Sequence, residues 1–202
     1  MDGCLSRTRQ CMIRRSVKAA YRAFARTPRR GFPYPEGTAG AERFGYRAEW
    51  LAGVPGTVLR RFAGVGNPFA IRAPRPGEHV LDVGCGCGLD AFVASRMVGP
   101  EGRVVGLDLT AEMVRWAGAA AKAWPLDNVT FRVGSAERLP FEDAAFDEVI
   151  SNGVLNLVPD KDAAFAEIAR VLRPGGAFAA ADLLVVETVP DEVLADPDAW
   201  SN

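Results

Sequence analysis

The chain has 202 residues, of which 49% are hydrophobic and 24% are charged. This length and composition suit one α/β domain with an extension, and they exclude a disordered chain. No apolar run approaches the ~18 residues that cross a bilayer, and no secretory signal follows the first basic residues. The four cysteines are not spaced as a disulfide framework, so we expect a cytoplasmic protein without a membrane span.

The N-terminal segment is strongly basic, although the net charge of the whole chain is only −1. Residues 1–30 hold nine Arg or Lys and a single acid, Asp2. The apolar residues Ile13, Val17, Tyr21 and Phe24 lie three or four apart, which predicts an amphipathic helix over 10–27. We interpret its basic face as solvated and expect no nucleic-acid partner. A nucleic-acid or membrane contact, or a transit peptide, is the alternative.

A change in composition marks the start of the main domain. Residues 28–40 are rich in Pro and Gly and are predicted as a linker. Two short helical pieces are predicted at 41–52 and 55–63, and Pro74 precedes the first strand. The chain is therefore divided into a helical N-terminal extension with its linker, residues 1–74, and a core domain, residues 75–202.

Strand and helix patterns alternate through the core domain. Apolar runs predict five strands, at 79–83, 103–107, 129–133, 147–151 and 177–184. Helical spacing predicts helices between them, at 90–98, 111–123 and 161–172. This alternation indicates parallel β-α-β units. The predicted fold class is α/β, a Rossmann-like doubly wound and mostly parallel sheet with its site at the carboxyl ends of the strands.

A glycine-rich turn follows the first predicted strand. Residues 80–88 read VLDVGCGCG, with Gly84, Gly86 and Gly88 at alternate positions. Such a turn lets backbone N–H groups and a helix start approach a ligand closely. The dinucleotide fingerprint is G-x-G-x-x-G. Here the third glycine comes one residue early, so a nicotinamide dehydrogenase is the less favoured interpretation.

Two acids accompany this turn. Asp82 precedes the first glycine by two positions and suits a cationic ligand end, such as an ammonium or a sulfonium. Asp108 closes the second predicted strand, where a carboxylate can accept hydrogen bonds from both ribose hydroxyls. Either residue alone could be an ordinary loop or helix-cap acid. Their order together predicts a nucleoside site.

These residues, with Phe146-Asp147 and the LRPGG segment at 172–176, resemble the successive motifs of class I S-adenosylmethionine methyltransferases over about residues 75–186. The resemblance implies that S-adenosylmethionine is the methyl donor. It places the methionine moiety on the glycine loop, the ribose on Asp108, and the adenine beside Leu109 and Met113. The implied cofactor-binding residues are Asp82, Gly84, Cys85, Gly86, Gly88, Asp108, Leu109, Met113, Ser135, Ala136, Glu137 and Asn152.

Within that class, the segments 62–68, 108–113, 151–157 and 196–200 resemble arsenite methyltransferases. In that family the position of Gly153 is a cysteine. A second cysteine follows just beyond the position of Asn202, and others come from the N-terminal region. Three thiolates then hold As(III), which favours sulfur. This chain has no cysteine at 153 or between residues 18 and 84, so we predict no metal site and leave the methyl acceptor open.

The resemblance also implies that the chain is C-terminally incomplete, because a full fold of this class has two more strands. The chain ends where the family places a thiol residue. One hypothesis is that the next codon is UGA, read by the cell as selenocysteine. A gene fragment or a deliberately shortened chain is the alternative.

No catalytic residue is assigned from the sequence. A thiolate or an As(III) lone pair needs no general base, whereas an alcohol, amine or carbon acid usually does. The only histidine, His79, begins the first predicted strand at the end opposite the site. Asp182, Asn152 and Asn156 are predicted to line the pocket.

Two other functions remain open beside a metalloid-type transfer to a small molecule. One is carbon methylation of the quinone-biosynthesis type, a group that shares the motif Glu137-x-Leu139-Pro140-Phe141. The other is a non-catalytic protein that binds S-adenosylmethionine and acts as a regulator. The oligomeric state is not predicted.

Overall fold

Five parallel strands form one sheet, in the order β3-β2-β1-β4-β5. The strands are β1 (His79–Val83), β2 (Arg103–Asp108), β3 (Val129–Val133), β4 (Phe146–Asn152) and β5 (Leu172–Ala181). The structure is a computed structural model and describes residues 6–26, 36–125, 127–190, 193 and 196–201. The chain runs outward from β1 to β3 and then returns to β4. In such sheets a ligand binds beyond the carboxyl ends of the strands where the order reverses.

Seven helices accompany the sheet in the described part of the chain. They are α1 (Arg7–Arg26), α2 (Gly37–Arg43), α3 (Ala48–Leu51), α4 (Gly56–Leu59), α5 (Leu89–Val98), α6 (Ala111–Ala121) and α7 (Lys161–Val171). Short 3-10 turns lie at Pro68–Ala70, Leu155–Leu157 and Pro197–Ser201. Among the described residues, none of the helices has the length and apolar character that crossing a membrane requires.

The two faces of the sheet have separate apolar cores. One core joins β1 and α5 to the segment 41–69, and the other joins β4 to α7. Helix α5 is buried around most of its circumference because it lies between the sheet and that N-terminal segment. The described part of the predicted extension therefore packs directly on the core domain, and the boundary at residue 74 stays a prediction.

The predicted elements agree with the structure in type and order but differ at several boundaries. The predicted helix at 41–52 is divided into α2 and α3 by a turn at Gly45, where φ is +82°, and the predicted helix at 55–63 is only the short α4. The predicted strand at 177–184 begins earlier and ends at Ala181, where the Asp182 carboxylate accepts backbone N–H groups of the neighbouring loop. The residues after it, from Leu183 to Val186, are exposed. Residues 28–35 of the predicted linker lie outside the described residues.

Candidate functional site

The main cavity opens beyond the carboxyl ends of β1, β2 and β4, as the topology predicts. The structure brings most of the predicted cofactor residues to its wall: Gly84, Cys85, Gly86, Asp108, Leu109, Met113, Ser135, Ala136, Glu137 and Asn152. Asp82 and Gly88 are not on the wall. Asp82 is buried within β1, and Gly88 turns the chain into α5 with φ +94°.

The glycine turn has the backbone that its sequence predicts. Gly84 and Gly86 have φ values of +76° and +53°, a region that side chains disfavour. The N–H groups of Gly84 and Cys85 both donate to the Leu107 carbonyl, at 2.7 and 3.0 Å. A Cβ at Gly84 would collide with Val154, whereas one at Gly86 would meet nothing within 4 Å. The turn therefore leaves open space above Gly86, where a ligand can approach the backbone.

Asp108 lies at the end of β2 and faces the turn. Its Oδ2 accepts the Gly86 N–H at 2.9 Å, and its Oδ1 accepts the Thr110 N–H at 2.7 Å. Burial raises the pKa of the carboxyl, and these hydrogen bonds oppose the rise. A carboxylate offers about four acceptor positions. Asp108 thus keeps capacity for further donors on its cavity side.

Two more carboxylates are buried beside the cavity. The Asp82 side chain is 2% exposed, and its Oδ2 has no hydrogen-bond partner among the described residues. Burial, and then the charges of Asp90 and Asp108, raise its pKa well above the usual range. Asp90 lines the cavity, and burial raises its pKa to about 6 against the effect of hydrogen bonds from Tyr46 and Asn152. The site therefore holds negative charge that a cationic ligand group would stabilise.

Asn152 is the centre of a buried polar network at the end of β4. Its Oδ1 accepts the N–H groups of Val65 and Gly66, at 2.9 and 3.2 Å. Its Nδ2 donates to the Gly66 carbonyl at 2.9 Å and to Asp90 at 3.1 Å. The Tyr46 hydroxyl lies 3.1 Å from the same Nδ2 and donates to Asp90. The network fixes the segment before the core against the cavity.

The far end of the cavity combines apolar and charged groups. Leu109 and Met113 line it, and Met113 is almost fully buried against Cys87, with the two sulfur atoms 3.4 Å apart. Ser135, Ala136 and Glu137 lie on the wall beyond β3. The Glu137 carboxylate is paired with Arg14 of α1, through Nε at 2.5 Å and Nη2 at 2.7 Å. An apolar slot with a polar edge has the character that an adenine ring needs.

Helix α1 supplies wall residues that the motifs did not indicate. Arg14, Val17, Tyr21 and Phe24 all line the cavity. Arg14 belongs to the basic face that we interpreted as solvated, but it pairs with Glu137 at the cavity wall. The spacing of the other three residues was visible in the sequence as an apolar stripe. Which surface that stripe covers depends on tertiary packing, so the sequence could not assign it to the site.

The cysteines of the turn are buried free thiols, and Cys11 is an exposed one, while Cys4 lies outside the described residues. Burial raises the pKa of Cys85 well above its usual range and that of Cys87 to about 12. Both thiols are therefore protonated near neutral pH and are poor metal ligands.

The region around Gly153 is apolar. Gly153 has φ +71°, and a Cβ there would lie 3.2 Å from a Val65 methyl group. Val154 lies on the opposite side, against Gly84. Asp182 was predicted to line the pocket, but its Oδ2 accepts the Leu155 N–H at 2.7 Å and it is not on the cavity wall. Asn156 is also absent from that wall.

His79 is distant from this region by topology, since it begins β1. Its backbone N–H donates to Asp147 at 2.8 Å, and Asp147 pairs with Arg173 at 2.6 Å. These contacts join β1, β4 and β5 at the amino ends of the strands. The His79 ring is also at this end, with its Nδ1 3.5 Å from Arg173 Nη2.

The sequence of the chain is similar to those of known methyltransferases. Residues 74–202 match the family described as a methyltransferase domain. The sequence is 44% identical over 162 residues to the arsenite methyltransferase of Halobacterium salinarum, covering 80% of this chain and 41% of that protein. It is 38% identical over 105 residues to the demethylmenaquinone methyltransferase of Symbiobacterium thermophilum, covering 52% of this chain and 42% of that protein.

A solved structure gives the same result. The arsenic(III) S-adenosylmethionine methyltransferase of Chlamydomonas reinhardtii matches with a TM-score of 0.66 and 39% identity, covering 82% of this chain and 55% of that one. The chain thus spans about half the length of the relatives that it matches.

Proposed function

Since the chain belongs to the methyltransferase-domain family and has the class I S-adenosylmethionine-dependent fold, we propose that its main cavity binds S-adenosylmethionine for methyl transfer to a small-molecule acceptor. The observation that carries the proposal is the pairing of the glycine turn with Asp108 at one cavity wall. A buried carboxylate pair lies directly behind it.

The residues on the wall divide the cavity by chemistry. Asp108 would accept the ribose hydroxyls, for which its carboxylate keeps free acceptor positions. The open space above Gly86 would admit the methionine moiety, with its ammonium in the field of Asp82 and Asp90. Leu109 and Met113 would contact the adenine, with residues 135–137 at its edge.

Bound S-adenosylmethionine supplies a sulfonium methyl group that a nucleophile displaces in line. The task of the protein is to align the acceptor with that methyl group and to exclude water. The Asn152 network contributes to this positioning, because it fixes Val65, Gly66 and Asp90 beside the cavity. No side chain is assigned here as a general base.

The residues around Gly153 indicate which class of methyl acceptor the cavity suits. Two relatives act on arsenic by name, and As(III) is a soft centre that favours thiolate ligands. In this chain Gly153 faces the methyl groups of Val65, and Cys85 and Cys87 are protonated in the turn. Position 153 therefore gives As(III) no sulfur ligand, and the two cysteines on this wall are protonated thiols.

An apolar acceptor is the second candidate. Carbon methylation of a quinone precursor fits the apolar surroundings of Gly153 and the sequence identity to a demethylmenaquinone methyltransferase. The buried free thiols of the turn fit a reducing cytoplasm, where we place the protein.

A screen with methyl-deuterated S-adenosylmethionine tests the proposed transfer. Arsenite, a quinone precursor and simple phenols and amines would be offered as acceptors, with mass spectrometry reading the label. Labelled product from any of them supports transfer and identifies the class. Cofactor binding without transfer to any acceptor would instead support a non-catalytic regulator.

A further inference from the structure

Helix α1 covers the main cavity from outside the core domain. Four of its side chains line the cavity, and Val17 and Phe24 are also buried beneath the helix. Phe24 and Ala25 share an apolar cluster with Cys87 and Met113, one residue from the glycine turn and one from α6. A ligand in the cavity would therefore be enclosed between α1 and the carboxyl ends of the strands.

Two acidic residues of the core hold α1 at separate points. Glu137, beyond β3, binds the Arg14 guanidinium through both carboxylate oxygens, at 2.5 and 2.7 Å. Glu112, in the first turn of α6, pairs with Arg22 at 2.7 Å. The first pair lies at the cavity wall, while Arg22 is mostly exposed. The first pair is therefore the one that a ligand would contact.

Glu137 is the better fixed partner. Its side chain is 10% exposed. Its Oε1 also accepts the Asp160 N–H at 3.1 Å, so it joins α1 to the start of α7. The Glu137 hydrogen bond raises the Arg14 pKa further, so the guanidinium stays charged. Bidentate charged pairs of this kind are among the strongest hydrogen bonds in proteins.

We propose that Arg14, by its ion pair with Glu137, is a positioning residue that holds α1 closed over the bound cofactor. This inference rests on the proposed function. In this proposal the cofactor leaves as α1 moves away, so the ion pair controls the dissociation rate more than the association rate. The motifs of the core assign no such role, since they begin after α1.

The test measures S-adenosylhomocysteine association and dissociation rates by surface plasmon resonance on the full chain. Arg14→Met keeps helix propensity and length while it removes the charge. We expect it to raise the dissociation rate about tenfold or more, with a smaller change in the association rate. Arg15→Met is the matched control, because Arg15 is exposed on the same helix.

A double-variant cycle separates the ion pair from a general loss of stability. If Arg14 acts through Glu137, the effects of Arg14→Met and Glu137→Gln on the dissociation rate are clearly less than additive when the two substitutions are combined. Independent, additive effects of the two substitutions would overturn the proposal, as would equal dissociation rates in Arg14→Met and Arg15→Met. Failure of the unaltered chain to bind would overturn the proposed function as well.

Discussion

The carboxylate of Asp108 accepts a hydrogen bond of 2.9 Å from the backbone N–H of Gly86, 22 residues earlier in the chain. The end of β2 and the glycine turn are therefore one unit, and the acid is oriented before any ligand arrives. A second bond, from the Thr110 N–H, fixes the other oxygen. Preorganised acceptors of this kind bind a ligand without a further ordering cost.

The buried acids predict that cofactor binding depends on pH. Asp82 has a raised pKa, and that of Asp90 is about 6, so acidification protonates the pair and removes the charge that attracts the ligand ammonium. We expect S-adenosylhomocysteine affinity, measured by calorimetry, to rise from pH 5.5 to 8. Asp82→Asn should lower the affinity at pH 8 by about 1–3 kcal/mol and flatten the dependence.

The same variant should unfold less easily near pH 8. An acid whose folded pKa is raised contributes its stability below the unfolded pKa and loses it as pH rises through the folded value. Removal of that charge thus stabilises the ligand-free protein while it weakens binding. Asp127→Asn, at an exposed position, is the control. If the unaltered chain binds S-adenosylhomocysteine equally well from pH 5.5 to 8, the buried acids do not have this role.

Substitution of Asn152 should destabilise the fold and the site together. Asn152→Ala leaves the Val65 and Gly66 N–H groups without their acceptor, which should cost about 2–4 kcal/mol in urea unfolding. Asn152→Asp places a second acid beside Asp90, so its stability loss should be larger at pH 8 than at pH 5. Asn156→Ala should cost less, because the Asn156 Oδ1 has no partner among the described residues. Equal losses for Asn152→Ala and Asn156→Ala would show that the network does not support the fold.

The parts of the site that could be predicted are those whose signal is local. The glycine turn, β1 and Asp108 lie in short segments where strand ending, turn and acid follow one another, and the structure has them as predicted. Arg14 and Glu137 are 123 residues apart in sequence. No local pattern joins them, because only the packing of α1 brings them together.

For Asp182, a local pattern gave a prediction that is wrong. Its position at the end of an apolar strand predicted a side chain in the pocket. In the structure the backbone of residues 154–156 supplies closer N–H donors, and the carboxylate caps that turn instead. Sequence position gives the end of the sheet, whereas the direction of a side chain depends on which donors are within reach.

Arsenite should not be a substrate of this chain. Position 153 is a glycine that faces Val65 and supplies no thiolate, and the Cys85 and Cys87 thiols on the wall are protonated near neutral pH. With arsenite and S-adenosylmethionine, we expect no methylated arsenic by mass spectrometry, under conditions where the arsenite methyltransferase of Halobacterium salinarum gives product. Methylated arsenic from this chain would mean that the soft ligands lie elsewhere.

A buried acid at the other end of the sheet should make stability depend on pH. Glu148 of β4 is fully buried and pairs with Arg72, and burial raises its pKa to about 7 despite that pair. The folded pKa is above the ordinary 4.5, so stability present at low pH is lost as pH rises through about 7. Glu148→Gln should remove this loss. At pH 8 its free energy of unfolding should equal that of the unaltered chain or exceed it by roughly 1–3 kcal/mol. If urea unfolding gives the same pH dependence of stability for both proteins, Glu148 does not cause this loss.

Calorimetric titration with S-adenosylhomocysteine tests the central claim most directly. We expect the unaltered chain to bind it, NADH to give no comparable heat, and Asp108→Ala to weaken the binding by about 1–3 kcal/mol. Asp127→Ala should leave the affinity unchanged, because Asp127 is exposed in the turn before β3. Tight binding of NADH with no response to S-adenosylhomocysteine would contradict the assignment of the cavity.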